Sequence, residues 1–263
     1  MRVTSLHRYP VKSLAGLDEE WLDIAPGGPV GDRRWAVVDL EGAKVTARKV
    51  PAMLALRAEL TPEGVRLRTP DGSVLEVARP AGGRRVPVDF SRLDDAVDAG
   101  EEAAGFLSTG LGRAVRLVWQ PAVEERSVKP DNGGLPGEVL SLADAGPLLL
   151  TSEASLARLQ EWVGVEPHLS MARFRPNVVV DGGEPFEEDG WGTVRLGELA
   201  FRVQHTCDRC VLTTIDPVTL TRGPEPIRTL SLHRKWDGAV WFGIWLVPRG
   251  SGRIAVGDRV TVG

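Results

Sequence analysis

A chain of 263 residues with 42% hydrophobic and 26% charged residues is long enough for one large globular domain or two small ones. Its formal net charge of −4 lacks the basic excess that nucleic-acid and membrane-surface binding usually need, and no apolar run is long enough to span a bilayer. No signal-peptide core follows Met1, so the sequence predicts a cytoplasmic protein. We also expect a monomer that binds neither nucleic acid nor membrane.

Short apolar runs separated by glycine and proline predict a mainly β fold with a few helices. Four pairs of runs, each joined by a short turn, predict paired strands. These pairs are residues 35–38 with 44–47, 65–68 with 74–77, 193–196 with 199–203, and 253–256 with 259–262. A further strand is predicted over residues 175–180.

Helical patterns are fewer. Residues 101–111 carry apolar side chains at helical spacing, residues 152–163 begin with Ser152 as a candidate N-cap, and Pro226 suits the first turn of a helix over residues 227–234. The polar stretch 120–136 is rich in proline and glycine, which is typical of a junction. We therefore expect one domain over residues 1–120 and a second over residues 121–263.

Both cysteines of the chain lie in Cys207-Asp208-Arg209-Cys210, and four interpretations of this motif are open. A thioredoxin-type dithiol needs a helix after the motif, whereas residues 211–217 are β-branched and end in proline. With His205 the pair would be part of a zinc site, which needs a fourth ligand. The cysteines could also be small buried side chains. The fourth interpretation is one thiolate that ligates a transition metal held by an organic cofactor.

The fourth interpretation requires basic groups for the anionic part of such a cofactor. Polar and basic side chains occur at four predicted boundaries between strands and loops: Lys12 with Ser13, Arg33, Arg175 with Asn177, and Asp208 with Arg209. The planar guanidinium of arginine donates two parallel hydrogen bonds to a phosphate. If these boundaries meet at one rim of a barrel, they form an anion site.

Taken together, these stretches resemble the MOSC family with its MOSC N-terminal β-barrel companion, a family that includes the mitochondrial amidoxime-reducing component and its bacterial counterparts. The motifs that carry the resemblance keep a common order over essentially the whole chain. They include Tyr9-Pro10-Val11-Lys12-Ser13, Phe174-Arg175-Pro176-Asn177, Cys207-x-Arg209-Cys210-x-x-Thr213-Thr214-x-Asp216-Pro217 and Val256-Gly257-Asp258. The resemblance implies a MOSC β-barrel domain packed against a β-rich N-terminal domain.

The resemblance also implies a cofactor, molybdenum bound to molybdopterin. The second cysteine of the motif is the metal ligand in the family, which implies that role for Cys210 and not for Cys207. The family's cofactor contacts map onto Lys12, Ser13, Arg33, Arg175, Asn177, Asp208, Arg209 and, as an aromatic contact where relatives have tyrosine, Trp245. A Thr-Ser pair of the relatives maps to Ala145-Gly146, which has no hydroxyl groups. An association of MOSC domains with pyridoxal phosphate binding is a further expectation.

The implied activity is a two-electron reduction of small N-hydroxylated compounds, such as amidoximes, hydroxylamines and N-hydroxylated bases. We expect two catalytic residues, Cys210, whose role the resemblance implies, and Asp216. The Asp216 carboxyl group could protonate a leaving hydroxyl or hold a protonated substrate, although an aspartate before proline is more typical of a turn. The electrons would come from a separate flavin or iron–sulfur reductase. The alternative is a protein that carries the molybdenum cofactor, or a persulfide on Cys210, without turnover of its own. A zinc-stabilised structural domain is a third possibility.

Overall fold

The computed structural model describes residues 1–263 and confirms a mainly β fold, with nineteen strands and three α-helices. The strands are β1 (Val3–Arg8), β2 (Leu17–Glu19), β3 (Trp21–Ala25), β4 (Gly28–Pro29), β5 (Trp35–Val38), β6 (Arg57–Leu60), β7 (Gly64–Arg68), β8 (Val74–Ala78), β9 (Arg85–Phe90), β10 (Leu93–Asp98), β11 (Arg116–Trp119), β12 (Leu148–Ser152), β13 (Val178–Val180), β14 (Thr193–Leu196), β15 (Leu199–Asp208), β16 (Lys235–Trp236), β17 (Ala239–Pro248), β18 (Gly252–Ala255) and β19 (Val260–Val262). The helices are α1 (Glu101–Leu111), α2 (Glu153–Val163) and α3 (Ile227–His233).

The largest sheet has nine strands in the order β19-β14-β15-β17-β12-β13-β1-β2, with β16 paired to β17. It therefore combines strands from residues 3–19 with strands from residues 148–262. A sheet of β18-β3-β4 also joins early and late parts of the chain, whereas β5-β11-β10-β9 and β6-β7-β8 use only residues before 120.

Most of the predicted elements form. The three helices lie within one residue of their predicted bounds, and the pairs β7–β8 and β14–β15 are the antiparallel hairpins expected from their turns. The strand predicted at residues 44–47 is wrong, since only Lys44 makes a bridge, to Val38. The last two strands form but do not pair with each other, because β18 pairs with β3 and β19 pairs with β14.

Alternation along the central strands separates two faces of the large sheet. Leu148 and Leu150 of β12, with Ile244 and Leu246 of β17, belong to a core cluster of 15 buried residues on one face. Side chains that alternate with them, Leu149 and Trp245, cluster with Cys207 on the opposite face. The candidate site lies against this second face.

A second core cluster of 18 buried residues lies mainly in the first half of the chain and holds the loops that complete the site. Val11 and Leu14, on either side of Lys12 and Ser13, are fully buried in it, and Trp35 anchors the end of the loop that carries Arg33. Burial of such side chains contributes about 1.5–3 kcal/mol each. Both polar loops are therefore fixed by apolar neighbours.

Candidate cofactor and metal site

A cavity of about 290 Å³ lies against the face of the large sheet that carries Leu149, Cys207 and Trp245. Eight of the ten predicted catalytic and cofactor-binding residues line it, although they come from five separate stretches of the chain. They are Lys12, Ser13, Arg33, Arg175, Asp208, Arg209, Cys210 and Trp245. Their roles toward a ligand stay predictions, but the convergence at one cavity is a property of the fold.

Three non-glycine residues that line the cavity have left-handed backbone conformations: Ser13 with φ of 70°, Arg33 with φ of 46° and Arg175 with φ of 56°. Such conformations cost about 1–3 kcal/mol each and persist where the surrounding structure enforces them. The N–H of Arg33 donates to the carbonyl of Tyr9 at 2.7 Å. The conformation of Arg175 also explains why β13 begins only at Val178, later than predicted.

The ring of Tyr9 positions two of the cavity arginines. The guanidinium carbons of Arg33 and Arg175 lie 4.2 and 4.3 Å from the ring centroid. The Tyr9 hydroxyl donates to the carbonyl of Pro176 at 3.0 Å, and burial raises the pKa of Tyr9 to about 12. Gly16 leaves room for the ring, because a Cβ at that position would collide with it. Tyr9 belongs to the motif Tyr9–Ser13, but no local signal in the sequence indicates this role.

Asn177 lies behind the cavity and does not line it. Its Oδ1 accepts from Arg33 Nη1 at 2.8 Å and from the N–H of Leu149 at 3.2 Å, and its Nδ2 donates to Asp32 Oδ1 at 3.2 Å. Asp32 Oδ2 in turn accepts from Arg33 Nη1 at 2.5 Å. Asn177 therefore orients Arg33 by hydrogen bonds, and its predicted direct contact with a cofactor stays untested.

Positive charge dominates the cavity. Its basic side chains are Lys12, Arg33, Arg48, Arg175 and Arg209. Lys12 pairs with Asp144 at 2.5 Å and Arg33 pairs with Asp32 at 2.5 Å, whereas the other three have no carboxylate partner. Burial lowers the pKa of Arg175 to about 10, so that the side chain is still charged at neutral pH. Partly buried cations without a carboxylate partner favour an anionic ligand.

Several hydrogen-bond donors of the cavity residues are unused. Arg175 Nη2, Arg209 Nε and Trp245 Nε1 are buried and have no hydrogen-bond partner. A buried donor without a partner costs about 1–3 kcal/mol, which a ligand with acceptor atoms would recover. The unused donors and the unpaired cations fit a phosphate-bearing organic cofactor.

The two cysteines differ in accessibility although both line the cavity. Cys207 is 2% exposed, its Sγ accepts from Arg209 Nη1 at 2.8 Å, and burial raises the pKa of its thiol to about 11. Cys210 is partly exposed. The pairing of β15 with β17 is irregular at two places, between Val203 and His205 before the motif and between Thr206 and Asp208 at its first cysteine. Such bulges change the direction in which side chains point. Of the two cysteines, Cys210 is the one that is accessible to a ligand.

The interpretation as a small buried side chain fits Cys207 alone, and the dithiol and zinc interpretations lack structural support. Only a short 3-10 helix, Val211–Thr214, follows Cys210, which is unlike a thioredoxin-type dithiol. No group of three or more His, Cys, Asp and Glu side chains could hold a metal ion, as a zinc site would require. The ring of His205 instead packs 5.1 Å from that of Trp241.

Asp216 lies outside the cavity lining and has the role of a turn residue. Its Oδ1 accepts from the N–H groups of Val218 and Thr219, each at 2.9 Å, and its Oδ2 accepts from Arg173 Nη2 at 2.7 Å. Burial alone would raise the pKa of Asp216, but these N–H groups and Arg173 lower it overall. Asp216 is therefore held as a carboxylate away from the cavity, and its assignment as a catalytic residue stays a prediction.

Three residues that the sequence analysis did not select complete the site. Arg48 and Asp144 line the cavity, and the charge of Lys12 lowers the pKa of Asp144. Arg126 is 3% exposed and donates to the carbonyls of Ser91, Ser141 and Ala143, which fixes the loop before β12. Arg48 and Asp144 lie in two further stretches that share the family resemblance, Val45-Thr46-Ala47-Arg48 and Ala143-Asp144, whereas Arg126 gave no local signal.

Two family models and several known proteins match most of this chain. A family model described as the MOSC N-terminal beta barrel domain matches residues 1–114, and a model of the MOSC domain matches residues 137–261. Mitochondrial amidoxime reducing component 2 of Rattus norvegicus is 32% identical over 98% of this chain and 82% of its own length. Mitochondrial amidoxime-reducing component 1 of Xenopus laevis is 32% identical over 98% of this chain and 81% of its own length.

A second class of relatives is longer. Molybdenum cofactor sulfurase of Danio rerio is 30% identical over 93% of this chain, which spans only 31% of the sulfurase. None of these relatives supports the expected pyridoxal phosphate binding, and the mitochondrial ones do not support a cytoplasmic location. No helix of the structure combines the length and the apolar character needed to cross a membrane.

Proposed function

The chain belongs to the MOSC family, and we propose that it is a molybdenum-cofactor-dependent reductase of N-hydroxylated compounds. The observation that carries the proposal is one cavity in which three cations without carboxylate partners, Arg48, Arg175 and Arg209, surround an accessible Cys210. The amidoxime-reducing relatives, which match nearly the whole chain, support the same reaction class.

Residues of this chain would bind the cofactor at two places, its anionic group and its metal. Arg175 and Arg209, with their unused donors, would bind the anionic group, together with Lys12, Arg33 and Arg48. The thiolate of Cys210 would ligate the metal, since a thiolate is the ligand form of cysteine. When bound, the molybdenum cofactor would supply the two-electron chemistry that removes oxygen from an N–OH group.

The reaction consumes two electrons and two protons for each N–OH group, and it yields the N–H product and one water. Cys207 stays a protonated thiol in this proposal, because burial raises its pKa to about 11, and it packs under the site beside Leu149 and Trp245. Asp216 reaches the cavity only indirectly, through Arg173 and the carbonyl of Thr213. A separate flavin or iron–sulfur reductase supplies the electrons.

A second candidate function is a carrier of the molybdenum cofactor, or of a persulfide on Cys210, without turnover. The match to about a third of the molybdenum cofactor sulfurases favours it, because a unit shared by two kinds of protein can be a binding unit. A carrier needs only the accessible thiol and the cationic cavity. A reductase also needs space for a substrate beside the metal.

Turnover of benzamidoxime separates the two functions. The protein is purified from a host that makes the molybdenum cofactor, its molybdenum content is measured, and reduced methyl viologen serves as the electron source. The proposal predicts benzamidine formation by the wild type and none by Cys210→Ser. A preparation that is fully loaded with molybdenum and forms no benzamidine would leave the carrier function.

A further inference from the structure

The contacts of Arg209 differ from those of two other cavity cations, Lys12 and Arg33, which are paired with carboxylates. The Arg209 guanidinium is held by two neutral acceptors instead. Its Nη1 donates to Cys207 Sγ at 2.8 Å, and its Nη2 donates to the carbonyl of Phe174 at 2.6 Å. A nearby carboxylate would cancel much of the charge of Arg209, whereas a thiol and a carbonyl fix the guanidinium and leave its charge available to a ligand.

Cys207 connects this guanidinium to the large sheet. The Cys207 side chain is 2% exposed and packs in a cluster with Leu149 and Trp245 on the sheet face below the cavity. Arg209 lies just beyond the end of β15, so that its side chain belongs to a loop. Its contact with the sulfur therefore ties a loop residue of the cavity to a buried part of the sheet.

The hydrogen bonds of Cys207 explain why a cysteine suits this position. The thiol donates to the carbonyl of Asp208 at 3.5 Å while its sulfur accepts from Arg209. Alanine would leave Nη1 of Arg209 without its acceptor, and an aspartate would neutralise the guanidinium. Since the proposed metal ligand is Cys210, ligation of the metal gives no reason for the first cysteine of the motif, whereas the contact with Arg209 does.

We propose that Cys207 is a positioning residue of the anion site, because its sulfur holds the guanidinium of Arg209 in the orientation that binds an anionic group. The buried Nε of Arg209, which has no hydrogen-bond partner, is then a donor for this group. That the anionic group belongs to the molybdenum cofactor rests on the proposed function. The dependence of Arg209 on Cys207 rests on their contact alone.

The matched variants Cys207→Ser and Cys207→Ala test this role. Both replace the thiol by a smaller side chain, and they differ from each other only by a hydroxyl group that can accept from Arg209. The probe is inorganic pyrophosphate, titrated into the cofactor-free protein by isothermal titration calorimetry. Cys207→Ser should bind pyrophosphate within about twofold of the wild type and Cys207→Ala about fivefold more weakly, since one hydrogen bond that orients a charged donor is lost.

A double-mutant cycle with Arg209→Met shows whether Cys207 acts through Arg209. We expect Cys207→Ala to weaken pyrophosphate binding in the wild-type background and to have no further effect in the Arg209→Met background. A sulfur that only fills space would give the same loss in both backgrounds. Should Cys207→Ala fail to fold, Cys207→Thr and Cys207→Val form a second pair of similar shape, of which only the valine variant should lose affinity.

The molybdenum and pterin contents of protein purified from a host that makes the cofactor provide a second measurement. Both contents should be lower in Cys207→Ala than in Cys207→Ser at similar melting temperatures. Equal pyrophosphate affinities of these two variants, an equal loss from Cys207→Ala in both backgrounds, or no pyrophosphate binding by the wild type would overturn the inference.

These outcomes are distinct from those of the proposed function. Coupling between Cys207 and Arg209 in a molybdenum-loaded protein that does not reduce benzamidoxime would support the positioning role and reject the reductase. Benzamidine formation by the wild type, together with equal affinities of the serine and alanine variants, would support the reductase and reject the positioning role.

Discussion

Replacing Arg175 by methionine should change folding and cofactor binding in opposite directions. Arg175 lines the cavity, has no carboxylate partner and leaves Nη2 without a hydrogen bond. Methionine keeps a long side chain that can pack on Tyr9, but it carries no charge. We expect Arg175→Met to stabilise the cofactor-free protein and to weaken its binding of the molybdenum cofactor.

The structure gives the magnitudes. Burial lowers the pKa of Arg175 from its usual range to about 10, and since one pKa unit corresponds to about 1.4 kcal/mol, desolvation of the charge costs roughly 3 kcal/mol. Lost stacking on Tyr9 offsets about 1 kcal/mol, and water in the cavity screens part of the remainder, which leaves a gain of about 1–2 kcal/mol. The melting temperature should then rise by about 2–8 °C. A charge-assisted contact contributes about 1.5–3 kcal/mol, so that cofactor affinity should fall about 10- to 150-fold.

Circular dichroism of the cofactor-free protein gives the melting temperature, and molybdenum content with the fluorescence of the released, oxidised pterin gives cofactor occupancy. Arg92→Met is the matched control, because Arg92 also has a left-handed backbone, with φ of 62°, but its Nε donates to Ser127 on the surface at 2.6 Å. It should leave occupancy unchanged. An Arg175→Met protein that melts at a lower temperature and keeps full occupancy would refute the assignment of Arg175 as an anion-binding residue.

Three other predictions test neighbouring features. Cys210→Ser should lose both molybdenum and activity whereas Cys207→Ser keeps most of each, and equal losses would mean that the wrong sulfur is assigned. Glu188 is fully buried and burial raises its pKa to about 7; because its folded pKa exceeds the unfolded one, it contributes stability at low pH that is lost as the pH rises from about 4.5 through 7. Glu188→Gln should therefore remove up to about 3 kcal/mol of the decline in unfolding free energy between pH 5 and 8, and an unchanged pH profile would contradict the shift. Gly146→Ala should lower the unfolding free energy by about 1–3 kcal/mol, because a Cβ there would lie 2.7 Å from Trp245. Gly105→Ala in α1, where nothing lies within 4 Å of the added Cβ, should instead raise the unfolding free energy by about 0.5–1 kcal/mol. Chemical denaturation measures both variants, and equal effects would reject the contact with Trp245.

Local signals made much of the fold predictable. The turn between β7 and β8 is an example, since Asp71 accepts from the N–H of Ser73 at 3.1 Å and Gly72 has a φ of 89°. Helix α1 followed from its apolar spacing in the same way. In both cases, residues close in the sequence supply the interactions that fix the conformation.

The pairing between distant strands could not be predicted from the sequence. β1 pairs with β13, more than 170 residues away in the sequence. β12 pairs with β13 in parallel, and a parallel pair has no short turn between its strands that a sequence pattern could mark. The ten-residue β17 is almost continuously buried, so it shows no alternation that would mark it as a strand. The cavity depends on these pairings, and its existence could be predicted only from the resemblance to a family.

The roles of single site residues were likewise predictable only where they depend on local sequence. Cys210, Arg33, Arg175 and Arg209 stood out by their chemistry, whereas the roles of Arg48 and Arg126 depend on contacts between separate loops. Asp216 shows the limit of motif reasoning, because the sequence pattern fits both a proton donor and a turn residue. Only its hydrogen bonds to Val218, Thr219 and Arg173 reveal the turn.

The most direct test of the central claim is anomalous X-ray scattering at the molybdenum absorption edge, from crystals of protein purified from a host that makes the cofactor. We predict one strong anomalous peak in the cationic cavity, within bonding distance of Cys210 Sγ, with the pterin density extending toward Arg175 and Arg209. A peak at another place in the molecule, or cofactor density with Cys210 turned away from the metal, would contradict the account.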